Sequence, residues 1–151
     1  MKILIIEDDI NKLTALSTFL SQYHEIKFNH QTSYNSGLKA LIAEKYDLLL
    51  LDMSMPIYDV TVRESGGRPL PLAGRDILFQ LRRRKICLKS IVITQYEDFD
   101  GLSLQDLDLE LQREFPDIYI GFVYYNITQD GWKEKLSVLL KEELRKGGDN
   151  Q

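Results

Sequence analysis

The sequence predicts an α/β domain in which five parallel strands form one sheet with helices on both faces. Three observations carry this reading. Apolar runs such as "KILII", "DLLLLD" and "SIVITQ" have no polar alternation, as strands buried on both faces require. Between them, apolar residues recur at helical spacing. The alternation of the two patterns along the chain calls for right-handed crossovers rather than hairpins.

In order along the chain, "KILII" (Lys2 to Ile6) is the first strand. Leu13, Leu16, Phe19 and Leu20 then mark one face of a helix. "EIKFNH" is a weaker strand, and "SGLKALIAEKY" is a helix with Leu38, Leu41 and Ile42 on one side. "DLLLLD" is the third strand, "GRDILFQLRRRK" the third helix and "SIVITQ" the fourth strand. "SLQDLDLELQREF" partly alternates, but its length, its lack of β-branched residues and the stripe Leu104, Leu107, Leu111, Phe115 favour helix, which Pro116 ends. "IYIGFVYY" is the fifth strand. Asp130 suits an N-cap, and Trp132, Leu136, Leu139, Leu140 and Leu144 line the last helix, which Gly147 and Gly148 should stop. The expected domain covers residues 1–146, with an insertion at 57–73 and a disordered tail at 147–151.

The 151 residues, 44% hydrophobic and 28% charged, provide one core and leave little for a second domain. A net charge of −4 argues against general attraction to nucleic acid or to anionic membrane. The single cysteine, Cys87, excludes an internal disulfide, and the N-terminal apolar run is too short for a signal core or a membrane span. We therefore expect a cytoplasmic protein.

In a sheet of this kind ligands bind at the carboxyl ends of the strands. Glu7 and Asp8 follow the first strand, Asp52 ends the third and Thr94 ends the fourth. Converging carboxylates repel unless a cation offsets them, and an all-oxygen set suits Mg²⁺.

The segments "ILIIEDD", "DLLLLDMSMP" and "IVITQ", followed by a fifth strand bearing an aromatic, resemble in order and spacing the receiver (CheY-like) domain of two-component response regulators. The resemblance covers nearly the whole chain. It implies a flavodoxin-like fold with strand order 2-1-3-4-5. It also implies that Asp52 accepts a phosphoryl group from a histidine kinase or a phosphotransfer protein. Asp8 and Asp52 would bind Mg²⁺ directly, Glu7 would act through water, and the main-chain carbonyl of Ser54 would add one ligand. Thr94 would bond a phosphoryl oxygen, and Phe122 would be the switching aromatic. Such a protein is a phosphoacceptor switch rather than an enzyme. As a stand-alone receiver it would act on a downstream protein by contact, with the fourth helix, fifth strand and fifth helix as the face for that partner or for a homodimer. The alternative is a degenerate receiver that docks without phosphorylation.

Three departures from the family pattern stand out. Where receivers carry a lysine followed by proline after the fifth strand, this chain has Tyr125 and Asn126, and the next lysine is Lys133. The usually small residue after Thr94 is Gln95, whose bulk is expected to narrow access to Asp52. The loop before the third helix is stretched to "IYDVTVRESGGRPLPLAG", Ile57 to Gly74, apolar enough that we expect it to pack. It carries Arg63 and Arg68, either of which is a candidate for the missing cation at the phosphoryl group. Charge is segregated too. Arg63 to Lys89 holds eight basic and two acidic residues, and Glu97 to Asp117 eight acidic and one basic. This pattern reads either as solvated helix ends or as patches that select a partner.

Overall fold

The computed structural model describes residues 1–59 and 70–149. Along the chain run β1 (Lys2–Ile6), α1 (Ile10–Leu20), β2 (Lys27–Gln31), α2 (Tyr34–Ala43), β3 (Leu48–Leu51) and α3 (Ala73–Arg83). They are followed by β4 (Ser90–Thr94), β5 (Asp98–Phe99), β6 (Leu102–Ser103), α4 (Leu104–Glu114), β7 (Tyr119–Tyr124) and α5 (Gly131–Asp149). The main sheet has the order β2-β1-β3-β4-β7, with every neighbouring pair parallel. This is the flavodoxin-like order that the sequence led us to expect, with β7 as the fifth strand of the sheet.

Successive residues of a strand point to opposite faces, so an unbroken apolar strand feeds two cores at once. Leu49 and Leu51 of β3, with Leu4 and Ile6 of β1, pack in a cluster with Leu41 of α2, Ile77, Leu78 and Leu81 of α3, and Leu107 and Leu111 of α4. Leu48 and Leu50, with Ile3 and Ile5, face the other way onto Leu16 and Leu20 of α1 and Trp132, Leu136 and Leu140 of α5. All four leucines of β3 are buried, each stabilising the fold by about 1.5–3 kcal/mol. β2, at the edge of the sheet, is largely exposed, which explains its weaker apolar signal.

α3 meets the sheet at Gly74, whose N–H donates to the carbonyl of Met53 at 2.8 Å. A β-carbon there would lie 2.5 Å from the carbonyl oxygen of Asp52 and 3.0 Å from Cα of Met53. Only glycine lets the helix come this close to the end of β3. From the insertion, Leu70 bridges Met55, and both Leu70 and Leu72 pack on the core, whereas Tyr58 is exposed. The residues Val60 and Val62, also expected to pack, lie outside the described residues.

Two details differ from the sequence reading. Ahead of α4 the chain forms a small antiparallel hairpin, β5 with β6, turned by Asp100 and Gly101 at φ 59° and 95°. Leu102 therefore belongs to a strand and packs against the core, while Leu109 of α4 is exposed. α5 continues through Gly147 and Gly148 to Asp149, because glycine in a helix costs only about 1 kcal/mol and does not block it.

The segregated charges face each other inside the molecule. Arg75 of α3 pairs with Glu110 of α4 at 3.0 Å, and Arg82 with Glu114 at 3.3 Å. Arg82 also donates to the Glu114 carbonyl and lies over the rings of Phe79 and Phe115. Lys89 donates to the carbonyl of Asp117. Much of the charge pattern is thus used to fasten α3 and the start of β4 to α4 and the turn that follows it.

Candidate functional site

The sheet order reverses between β1 and β3, and the carboxyl ends of these two strands hold the acids. Asp52 follows β3 directly, its N–H held by the carbonyl of Ile6 at 3.0 Å, and the residue is 3% exposed. The N–H of Met53 donates to Asp52 Oδ1 at 2.8 Å and fixes the side chain. Glu7 is likewise buried, and its Oε2 accepts from the N–H groups of Asp8 and Asp9 at 3.0 and 3.3 Å. Asp8 lies at the exposed mouth. One carboxylate oxygen from each of Glu7, Asp8 and Asp52 lies within 4.8 Å of the others.

A fourth charge lies among them that the sequence reading passed over. Lys12 of α1 is 1% exposed. Its Nζ lies 2.5 Å from Glu7 Oε1 and 3.4 Å from Asp52 Oδ1, and it donates to the carbonyl of Ile93 at 2.6 Å and to Gln95 Oε1 at 3.0 Å. The helix that carries it is capped by Asp9, whose side chain accepts from the N–H groups of Asn11 and Lys12. A sequence signal did exist. Lys12 stands four residues before Leu16 and eight before Leu20, on the stripe that α1 buries.

The electrostatics follow from burial. The Glu7 carboxyl is pushed up to about 9, by loss of water first and by the charge of Asp52 next, with Lys12 pulling the other way. Asp8 is raised for the same two leading reasons. Glu7 Oε1 is buried and, among the described residues, accepts no well-directed hydrogen bond; Lys12 is its charge neighbour. Among the described residues, one ammonium serves the three acidic side chains of the cluster.

The other expected residues fall around this cluster. Thr94 is buried at the end of β4, its Oγ1 accepting from the N–H of Tyr96 at 3.1 Å. Ser54 is half-buried, two residues beyond Asp52. Phe122 on β7 packs half-buried against the core, with Lys135 Nζ 3.9 Å from its ring centre. Tyr125 is buried against Trp132, and its N–H donates to the carbonyl of Thr94 at 2.7 Å. Its ring centre is 6.0 Å from Lys12 Nζ. The side-chain oxygen of Gln95, expected to obstruct Asp52, is turned to Lys12. Arg63 and Arg68 lie outside the described residues. A cleft of about 310 Å³, lined by Asp9, Lys12, Gln95, Tyr124, Tyr125 and Asn126 among others, opens on the Lys12 side.

No family model matches the chain. It is 34% identical over 143 residues to the Detocs response regulatory protein DtcB of Enterobacter cloacae (strain JD6301), an alignment covering 90% of this chain and 95% of that one. Among solved structures it is similar to the signal receiver domain of an HD domain-containing protein from Pseudomonas fluorescens Pf-5. That match has a TM-score of 0.69 and 16% identity, covering 98% of this chain and 97% of the other. It is also similar to the response regulator protein TrrA from Thermotoga maritima, solved in complex with Mg²⁺ and BeF. Here the TM-score is 0.60 and the identity 22%, covering 91% of this chain and 97% of that one.

Proposed function

Because the chain belongs to the response regulators and has their receiver fold, we propose that it is an aspartyl-phosphate switch in which Asp52 accepts a phosphoryl group from a histidine kinase or phosphotransfer protein. The observation that carries this reading is the buried Asp52 carboxylate at the end of β3, gathered with Glu7 and Asp8 within 4.8 Å. Burying an acid is costly, and the buried cation beside it, Lys12, lies closer to Glu7 than to Asp52.

The donor set fits a hard divalent cation. Among the described residues it is all oxygen, has one ammonium beside it, and includes a buried Glu7 oxygen that accepts no well-directed hydrogen bond. Asp8, Asp52 and the Ser54 carbonyl would hold Mg²⁺, with Glu7 acting through water. Bound there, Mg²⁺ supplies charge neutralisation at the phosphoryl oxygens. Asp52 forms the new O–P bond as the P–N bond of a phosphohistidine breaks, and the leaving imidazole takes up a proton. The N–H of Met53 holds the nucleophile in one rotamer throughout, and the Thr94 hydroxyl bonds a phosphoryl oxygen.

Signalling then proceeds by contact, through the face of α4, β7 and α5, where Leu109 is already exposed. The second reading, a receiver that docks without phosphorylation, draws on Lys12, which offsets part of the acid cluster with no metal or phosphate needed. Incubation with phosphoramidate and Mg²⁺, followed by intact mass, separates the two. The first reading predicts one added phosphoryl group on the wild type and none on Asp52→Asn. Equal labelling of both variants, or of neither, would sink it.

A further inference from the structure

We propose that Lys12 is the phosphoryl-binding cation of this site, reaching it from α1 rather than from a strand end. The proposal rests on the reading of Asp52 as phosphoacceptor and adds the group that contacts the transferred phosphoryl.

A lysine ammonium taken out of water needs an unusual reason, since an apolar side chain of similar volume is often no worse for stability. Lys12 is not needed to fill α1's contact with the sheet, which Leu16, Phe19 and Leu20 already make. Its stem instead carries the charge beyond the helix. An ammonium has three hydrogens. Two are used by the carbonyl of Ile93 on β4 and by Gln95 Oε1, which anchor it. The third faces Glu7 Oε1 and Asp52 Oδ1 at 2.5 and 3.4 Å, and no well-directed hydrogen bond to either oxygen forms. Lys12 is thus held by neutral oxygens on one side and left with one donor toward the acids.

Phosphorylation replaces the single negative charge of the Asp52 carboxylate by about two, carried on three acceptor oxygens. The strongest new partner within reach of that donor is a phosphoryl oxygen, because charge-assisted bonds strengthen where water is excluded. The end of β7 offers no cation of its own. Tyr125 stands there, and its ring lies near the ammonium instead. Gln95 follows Thr94 for a related reason, since its carbonyl oxygen receives Lys12. The basic group on α1, the amide after β4 and the aromatic ring after β7 make one arrangement around a single ammonium.

The test compares wild type, Lys12→Met and Lys12→Arg by three readouts: labelling by phosphoramidate with Mg²⁺, affinity for beryllofluoride in Mg²⁺, and affinity for Mg²⁺ alone. Lys12→Met should label and bind beryllofluoride at least about tenfold more weakly, with Mg²⁺ bound as tightly or tighter, since a competing positive charge has gone. Lys12→Arg should recover part of the loss. A purely structural lysine would not give this split. If Lys12→Met labels at the wild-type rate, the proposal is overturned while Asp52 remains the acceptor. If the wild type does not label, the reading of Asp52 fails and the proposal with it. Should Lys12→Met not fold, the side-chain ¹⁵N signal of Lys12 in the wild type decides. It should shift on adding beryllofluoride to the Mg²⁺-loaded protein, and an unmoved signal overturns the proposal.

Discussion

Asp52 and Lys12 form an ion pair inside the protein, yet only one of them announces itself in the chain. An acid directly after four leucines contradicts its local pattern, and such contradictions tend to mark function. Lys12 contradicts its pattern as well, as a cation on a buried helical stripe. It follows the polar Asn11, however, and a long charged side chain on a helix usually runs out to water. The distance along the sequence from α1 to Ile93 and Gln95 hid the partners that hold it. Gly74 is a case where the residue was legible as the end of a loop but its purpose was not. Only the approach of α3 to the Asp52 carbonyl explains it. Gly74→Ala is expected to lower stability by about 1–3 kcal/mol, measured by chemical denaturation, because backbone rather than a flexible side chain must give way. At the opposite extreme Leu109 is 62% exposed. Leu109→Lys should change stability by no more than about 0.5 kcal/mol and weaken partner or self-association measured by light scattering or pull-down. A large loss of stability would show that α4 is seated differently.

Helices and strands were readable wherever burial imposed a clear period. The strands β1, β3 and β4 and the stripes of α3, α4 and α5 follow directly from the apolar pattern. The β5–β6 hairpin was missed although its Asp100-Gly101 pair is a strong turn signal, because each strand is two residues long and offers no periodicity. Another local device lies at the start of α2. Ser33 and Ser36 form a capping box, and the Asp59 carboxylate accepts from the hydroxyls of Thr32 and Ser36 at 3.0 and 2.9 Å. Bonding from Ser33, then from Ser36 and Thr32, holds the Asp59 carboxyl below its ordinary value. A lowered carboxyl adds stability above the unfolded pKa near 3.8, and that share is lost as pH falls through the folded value. Asp59→Asn should therefore cost a small amount of stability at neutral pH, and the gap from wild type should close below that pH in acid melts. A gap that stayed constant into acid would show that the hydroxyl contacts do not depend on the charge. Between α3 and α4, the half-buried Arg75–Glu110 pair should give a coupling of up to about 1 kcal/mol in a double-mutant cycle.

The complete domain was the most legible level of all. Alternation of strand and helix fixes a parallel, doubly wound sheet, and such a sheet fixes where a site can form. The chemistry of that site was less legible, because the acids arrive from two strand ends that the sequence separates by more than forty residues, and their counter-charge comes from a helix. The charge balance of the cluster carries a consequence for the entire fold. Mg²⁺ that binds only the folded protein must raise its melting temperature, by an amount that grows with the logarithm of free Mg²⁺ above the dissociation constant, and Asp8→Ala should abolish that rise. An equal rise in both variants would place the cation elsewhere. The central claim is that Asp52 receives the phosphoryl group with the cation of the acid cluster on one side and Lys12 on the other. A crystal structure of the wild type grown with Mg²⁺ and beryllofluoride tests it most directly. The expected result is beryllofluoride joined to an Asp52 carboxylate oxygen, a cation bound by Asp8 and Asp52, and Lys12 Nζ hydrogen-bonded to a fluoride. An empty Asp52, with Lys12 still turned to Glu7 at saturating beryllofluoride, would contradict it.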